Sequence, residues 1–143
     1  NKFPLNPATI NDGGFSSTNE FPFLRFADVR LMKAEALLRG GTTGANGETP
    51  LTIVNSIRAL RGATPATSVT LTSLLAERGR ELYLEGHRRT DLIRYGKFTG
   101  GSYLWPWKGN VKDGTSIPSH YNLFPIPLKA LQANPKLTPQ TGY

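Results

Sequence analysis

The sequence contains no cysteine and only one methionine in 143 residues. Without cysteine, the chain can form neither a disulfide framework nor a thiolate site. No apolar run approaches the roughly 20 residues that a membrane-spanning helix needs. Acidic residues are also scarce in the C-terminal third of the chain: residues 96–143 hold five lysines and a single acid, Asp113. Thiol chemistry and membrane-spanning helices are therefore excluded as explanations of what this chain does.

The chain begins at Asn1, without a methionine and without a charged-then-apolar export signal. We therefore expect a processed or truncated start. The 15 glycines and 11 prolines indicate much irregular structure, and the length suits one domain over residues 1–143. The formal net charge of +7 makes nucleic acid, anionic surfaces and acidic ligands partners to consider. The lysines of the tail are scattered, however, and do not form a continuous basic stripe.

Residues 22–60 carry two helical patterns. In the first pattern, apolar residues recur at the spacing of one helix face, at Ala27, Leu31, Ala34 and Leu38. The glycine pair that follows this pattern is expected to end the helix. The second helix is expected to begin at Thr49 and Pro50, a capping residue followed by a first-turn proline, and to end at Gly62.

Residues 70–96 predict a third helix, from about Thr70 or Thr72 to Glu85, and a shorter fourth helix that ends at Gly96. Gly86 is expected to bend the chain between them. Residues 97–143 show no helical period and contain prolines that restrict the residue before each of them. We therefore predict a mainly α fold, with helical hairpins over residues 22–96 and a long irregular wrap over residues 97–143. A short helix from Pro127 to Ala133 is the one exception expected within this wrap.

The densest charge lies in residues 77–94, which hold five arginines, four carboxylates and His87. Two carboxylates flanking a sugar bond are the usual glycosidase arrangement, but Glu81 and Glu85 would lie side by side on one helix. One histidine beside carboxylates matches no recognised metal-ligand spacing. The net charge of this stretch, +1, is too small for a phosphate-binding face. The pattern therefore assigns no catalytic residue, no metal and no cofactor here.

Within this stretch, opposite charges recur three residues apart, the spacing at which side chains on a helix meet. The pairs are Arg78–Glu81, Glu85–Arg88 and Asp91–Arg94. We interpret the stretch as a structural clasp that fixes how the third and fourth helices meet. The members of the clasp are Arg78, Glu81, Glu85, Gly86, His87, Arg88, Asp91 and Arg94.

The stretch ERGRELYLEGHRRTDLIRYG, residues 77–96, closely resembles the ERR-EL-FEGHR--DL-RWG signature of the SusD/RagB family. Three further segments are similar to family motifs in the same order: FLRFADVRLMKAEALLRGG, YLWPWKGN and LFPIPLKALQANPKLTPQTGY. Together the four segments extend over nearly all of residues 23–143. The departures are small: Gly79 stands where a basic residue is usual, and Thr90 and Tyr95 replace common aromatic residues.

The resemblance implies the C-terminal part of a larger SusD-like fold with tetratricopeptide-like helix pairs. It also implies a surface-exposed outer-membrane lipoprotein of Gram-negative bacteria that is not an enzyme. Such a protein captures glycans or other nutrients and passes them to a SusC-like TonB-dependent transporter. The lipid-bearing cysteine would lie in an N-terminal part that this chain lacks, and that missing part is itself an expected packing partner.

The segment SYLWPWKGN places Tyr103, Trp105 and Trp107 at alternate positions of a loop. Alternate residues of an extended loop point the same way, and the flat faces of sugar rings stack on aromatic rings. Tyr103 and Trp105 are therefore the predicted ligand contacts. At least one of the two tryptophans is nevertheless expected to fill a core instead, as buried aromatic residues do. Trp107 is predicted to be buried because Pro106 stiffens the backbone before it.

Two other functions compete with nutrient binding. One is a glycan-acting hydrolase that uses Glu81, Glu85 or Asp91. The other is a basic helical module that binds nucleic acid through the lysines of its tail. The resemblance favours the binding protein over both, with no nucleic acid among its partners, and leaves open which glycan or nutrient is bound.

Overall fold

The computed structural model describes residues 10–11, 16–17, 22–43 and 46–143. Within these residues the helices are α1 (Phe26–Leu38), α2 (Pro50–Leu60), α3 (Leu71–Glu81), α4 (Arg88–Arg94) and α5 (Leu128–Ala133). One antiparallel pair of two-residue strands joins β1 (Ile10–Asn11) to β2 (Ser16–Ser17), with Ile10 opposite Ser17. The mainly helical fold predicted from the sequence is confirmed. Among the described residues, every helix falls short of the length and hydrophobicity that a membrane crossing requires.

The chain divides into two compact units, residues 1–66 and residues 67–143. The first unit contains α1 and α2, and the second contains α3, α4, α5 and the irregular C-terminal stretch. The boundary therefore separates the two predicted helical hairpins from each other. A single domain over residues 1–143 stays a prediction.

In the first unit, α1 and α2 pack against each other. The centre of the predicted face of α1, Leu31 and Ala34, is fully buried, as is Ile53 of α2. The predicted start of α2 is also present: the Thr49 hydroxyl accepts a hydrogen bond from the Thr52 N–H at 3.2 Å. Because the Thr52 hydroxyl accepts from the Thr49 N–H in return, at 2.9 Å, the first turn is doubly capped.

A second side of α1 is apolar but exposed. Three large apolar residues of this helix remain accessible to solvent, namely Phe26, Val29 and Met32. Large apolar side chains on a helix usually face a core. Burial against α2 therefore uses only one of the two apolar sides of α1. The expectation that a missing part of the protein packs against these residues stays a prediction.

In the second unit, α3 begins with another reciprocal cap, between Thr70 and Ser73. The predicted end of this helix at Glu85 is wrong, because α3 ends at Glu81. The backbone takes φ values of +64° at Leu84 and +80° at Gly86, and a right-handed helix cannot continue through such residues. The turn over residues 82–87 therefore separates the charges of α3 from those of α4.

The core of the second unit joins α3 and α4, which pack against each other. Its buried apolar residues are Leu74, Leu75, Leu82 and Leu92. Beyond α4 the chain is irregular up to α5, which begins directly after Pro127 as predicted and ends before Asn134. This arrangement places the irregular stretch beside α4, within the same compact unit.

Candidate functional site

Residues 100–117 form a closed loop, here called the tryptophan loop. The Gly100 N–H donates a hydrogen bond to the Ile117 carbonyl at 2.8 Å and so joins the two ends of the loop. The chain reverses within it at Trp107, Gly109 and Asn110, where φ lies between 62° and 69°. The Thr115 N–H then donates to the Lys108 carbonyl at 3.0 Å. These bonds hold the loop without helix or extended strand.

Lys108 lies at the centre of the tryptophan loop and is only 1% exposed. Its Nζ donates hydrogen bonds to the Gly100 and Tyr103 carbonyl oxygens, both at 2.7 Å. The same atom lies 4.7 Å from the centroid of the Trp105 ring, within cation–π range. Burial lowers the pKa of the Lys108 ammonium below its usual value. Sequence reasoning counted this residue among the scattered lysines, and only its place in the WPWKG motif set it apart.

Tyr103 and Trp105 are brought together, as the sequence suggested. Their ring centroids lie 6.0 Å apart, and Phe98 stacks on Trp105 at 6.4 Å with an interplanar angle of 23°. Both predicted contact residues are half-buried. The three rings form an aromatic cluster on one side of the loop.

The prediction that Trp107 is buried is wrong, because its side chain is 65% exposed. The residue adopts a left-handed conformation with φ of 69° in the tight turn. The interior of the loop is occupied by the next residue, Lys108, and not by the indole. A stiff proline before Trp107 therefore did not lead to burial.

A cavity of about 330 Å³ opens beside the aromatic cluster. It is lined by Arg88, Arg89, Leu92, Phe98, Tyr103 and Trp105. The structure therefore places both predicted ligand contacts in one cavity, together with Arg88 from the predicted clasp and Arg89. We call this feature the aromatic–arginine cavity.

The two arginines of this cavity are fixed by neutral acceptors. Arg88 donates to the Leu75 carbonyl at 2.9 Å and to the Tyr103 hydroxyl at 3.1 Å. Arg89 donates to the Tyr121 carbonyl at 2.6 Å, and its Cζ lies 4.9 Å from the centroid of the Phe98 ring. Both guanidinium groups are thus held by neutral groups, and these contacts do not neutralise their positive charges.

The centre of the predicted clasp is Asp91, which is 1% exposed. Its Oδ2 accepts from Arg78 Nε at 2.9 Å, and its Oδ1 accepts from Arg94 Nη2 at 2.7 Å. The pair with Arg94 is the one that the three-residue spacing suggested. The pair with Arg78 joins α3 to α4 across thirteen positions, and spacing along one helix could not show it.

The pair expected between Glu85 and Arg88 is absent, since no described carboxylate pairs with Arg88. Glu81 and Glu85 are buried, and neither lines the aromatic–arginine cavity. Gly86 and His87 lie in the turn before α4, where they line a second cavity of about 370 Å³ with Asp91. Of the three carboxylates of the hydrolase alternative, only Asp91 lines this second cavity.

Comparison with known proteins agrees with this architecture. The sequence profile of the SusD family matches residues 1–143. The chain is 38% identical over 141 residues to the starch-binding protein SusD of Bacteroides thetaiotaomicron, a match that covers 98% of this chain and 23% of that protein. It also resembles the crystal structure of a SusD superfamily protein from Parabacteroides distasonis, with a TM-score of 0.64 and 26% identity, over 92% of this chain and 29% of that one.

The chain thus spans less than a third of the length of these relatives. The family profile nevertheless extends over every residue of the sequence, and the described helices follow the same fold as the solved relative. The chain therefore belongs to the SusD family.

Proposed function

We propose that this chain is part of a glycan-binding protein that captures its ligand without cleaving it. The observation that supports the proposal is the aromatic–arginine cavity, which the half-buried Tyr103 and Trp105 line with their ring centroids 6.0 Å apart. Aromatic side chains combine a large apolar face with a rigid shape, which suits the flat faces of sugar rings. A related protein of the same family is named as starch-binding, which points to the same class of ligand.

The geometry of the carboxylates argues against hydrolysis. A retaining or inverting glycosidase needs two carboxyl groups that flank the scissile bond, one of them able to donate a proton. Both oxygens of Asp91 instead accept hydrogen bonds from arginines, Oδ2 from Arg78 and Oδ1 from Arg94. Glu81 and Glu85 are buried within the second unit. A binding protein therefore accounts for these residues better than an enzyme.

Binding is expected to depend on Trp105. Replacing Trp105 with alanine removes one stacking surface, which contributes about 1 kcal/mol to binding beyond the burial of its area. The affinity for maltoheptaose should therefore fall by at least about fivefold. Isothermal titration calorimetry of the full chain with maltoheptaose measures this loss of affinity. The Trp107→Ala variant is the matched control, because Trp107 lies outside the cavity. Equal affinities of wild type and Trp105→Ala would contradict the proposed site.

We further propose that the protein is anchored by lipid at the outer-membrane surface, through a cysteine of an N-terminal part. There it would pass glycans to a SusC-like TonB-dependent barrel. Family membership supports this proposal. Affinity purification of the tagged full-length protein from detergent-extracted outer membranes of its own cells is expected to recover such a barrel. Recovery of the tagged protein alone, under conditions that preserve other membrane complexes, would count against the partnership.

A further inference from the structure

The aromatic–arginine cavity contains two positive charges that no described carboxylate balances. Arg78, Arg80 and Arg94 of the same unit each pair with an acid. Arg88 and Arg89 have no such partner among the described residues, and their polar contacts are two carbonyls and one hydroxyl. The arginines of this unit therefore fall into a paired set outside the aromatic–arginine cavity and an unbalanced pair that lines it.

Each of these guanidinium groups carries more N–H donors than its contacts use. Arg88 donates through Nη1 and Nη2, and Arg89 donates through Nη2 alone. Both arginines are half-buried and line the aromatic–arginine cavity, so a ligand in that cavity lies within reach of their side chains. A guanidinium with free N–H groups is the side chain best suited to a planar carboxylate, which it can bind with two parallel hydrogen bonds.

The surroundings strengthen the preference for an anion. Residues 67–143 contain ten basic and five acidic side chains, which gives this unit a net charge of +5 with histidine neutral. A cleft with walls of one charge concentrates ligands of the opposite charge. The volume of about 330 Å³ lies at the lower end of the range for small-molecule sites. A cavity of that size suits one or two sugar rings better than a long chain.

We propose that the aromatic–arginine cavity binds an acidic sugar, namely a pyranose that carries a carboxylate. In this arrangement the ring of the sugar stacks on Trp105, and its carboxylate accepts hydrogen bonds from Arg88 and Arg89. The inference rests on the proposed function and narrows its ligand from glycans in general to glycuronates. Neutral glycans lack the group that would balance the two arginines.

The test compares trigalacturonate with its fully methyl-esterified form, which has the same rings but no charge. Calorimetric titration of the full chain at low ionic strength is expected to give at least tenfold higher affinity for trigalacturonate. Raising the salt concentration to 0.5 M is expected to reduce that preference, because salt screens charges that remain partly exposed. An equal affinity for the acid and the ester would overturn the inference.

Substitution of Arg89 tests whether the preference arises in this cavity. In Arg89→Gln the ratio of the two affinities is expected to fall towards one, whereas Arg80→Gln, which removes the same charge outside the cavity, should keep the wild-type ratio. If Arg89→Gln does not fold, Arg88→Gln serves instead, since it removes the other positive charge that lines the same cavity. A wild-type ratio in whichever of the two variants folds would overturn the assignment.

Two further ligands separate this inference from the proposed function. Maltoheptaose that binds in a Trp105-dependent manner, without any preference for trigalacturonate, would overturn the acidic ligand and leave glycan binding intact. Failure of maltoheptaose, trigalacturonate and its ester alike would overturn both. A sulfated trisaccharide that binds more tightly than trigalacturonate would overturn the assignment of a carboxylate.

Discussion

Replacing Asp91 with alanine is expected to lower the free energy of unfolding by about 3–5 kcal/mol, the cost of breaking a buried ion pair. The reason is the position of its partner, since Arg78 and Asp91 have side chains only 3% and 2% exposed. Removal of the carboxylate deprives a buried guanidinium of the charge that balances it. Equilibrium unfolding of the full chain in urea, followed by far-UV circular dichroism, measures the loss.

An ion pair of the same unit with one exposed member, Arg80 with the buried Glu77, supplies the control for this experiment. The side chain of Arg80 is 61% exposed, so its charge is largely solvated and Arg80→Ala should cost less than about 1 kcal/mol. Replacing both Arg78 and Asp91 with apolar residues of similar size should recover much of the stability lost in Asp91→Ala, because both buried charges of the pair are then removed together. If Asp91→Ala and Arg80→Ala cost the same, Asp91 does not have the structural role inferred for the clasp.

The second large effect is expected from Lys108. Lys108→Met keeps the length of the side chain but removes both hydrogen bonds to the Gly100 and Tyr103 carbonyls. Because hydrogen bonds from a charged donor contribute more than neutral ones, we expect a loss of about 3 kcal/mol in the free energy of unfolding. Lys112→Met, at an exposed position of the same loop, is the control and should change stability little. A loss no larger than that of Lys112→Met would contradict the inferred role.

The pH dependence of this loss follows from the direction of the pKa shift. Burial lowers the pKa of Lys108 in the folded chain, below the value of 10.5 expected after unfolding. Between these two values the unfolded chain binds more protons at this residue, so its contribution to stability rises with pH in that window. The stability advantage of wild type over Lys108→Met should therefore increase as the pH rises towards 10.5. A constant difference over this range would show that the burial of Lys108 does not perturb its titration.

The helices could be predicted from the sequence because their signals are local. The cap at Thr49, the stop after Leu38 and the apolar spacing around Leu31 each depend on residues within two helical turns. The end of α3 was misplaced because the left-handed conformation of Leu84 has no signature in a leucine side chain. Local rules therefore succeeded wherever the residues themselves carried the geometric preference.

The candidate site was less accessible to the same rules. Spacing paired Glu85 with Arg88 on the assumption of one continuous helix, but α3 ends at Glu81 and α4 begins at Arg88. Arg88 consequently reaches Tyr103, fifteen residues away, instead of its neighbour. The burial of Lys108 is likewise set by how the tryptophan loop closes, which depends on residues at both of its ends.

Tyr103 is held at two points, since its carbonyl accepts from Lys108 and its hydroxyl accepts from Arg88. A side chain whose hydroxyl is bound, on a backbone that is also bound, has already lost much of the rotational freedom that a ligand would otherwise have to restrict. Such ordering costs about 0.5–1.5 kcal/mol for each side chain that becomes immobile on binding. A ligand that meets Tyr103 is therefore expected to encounter a rigid surface, which selects for shape and cannot adapt to many different sugars.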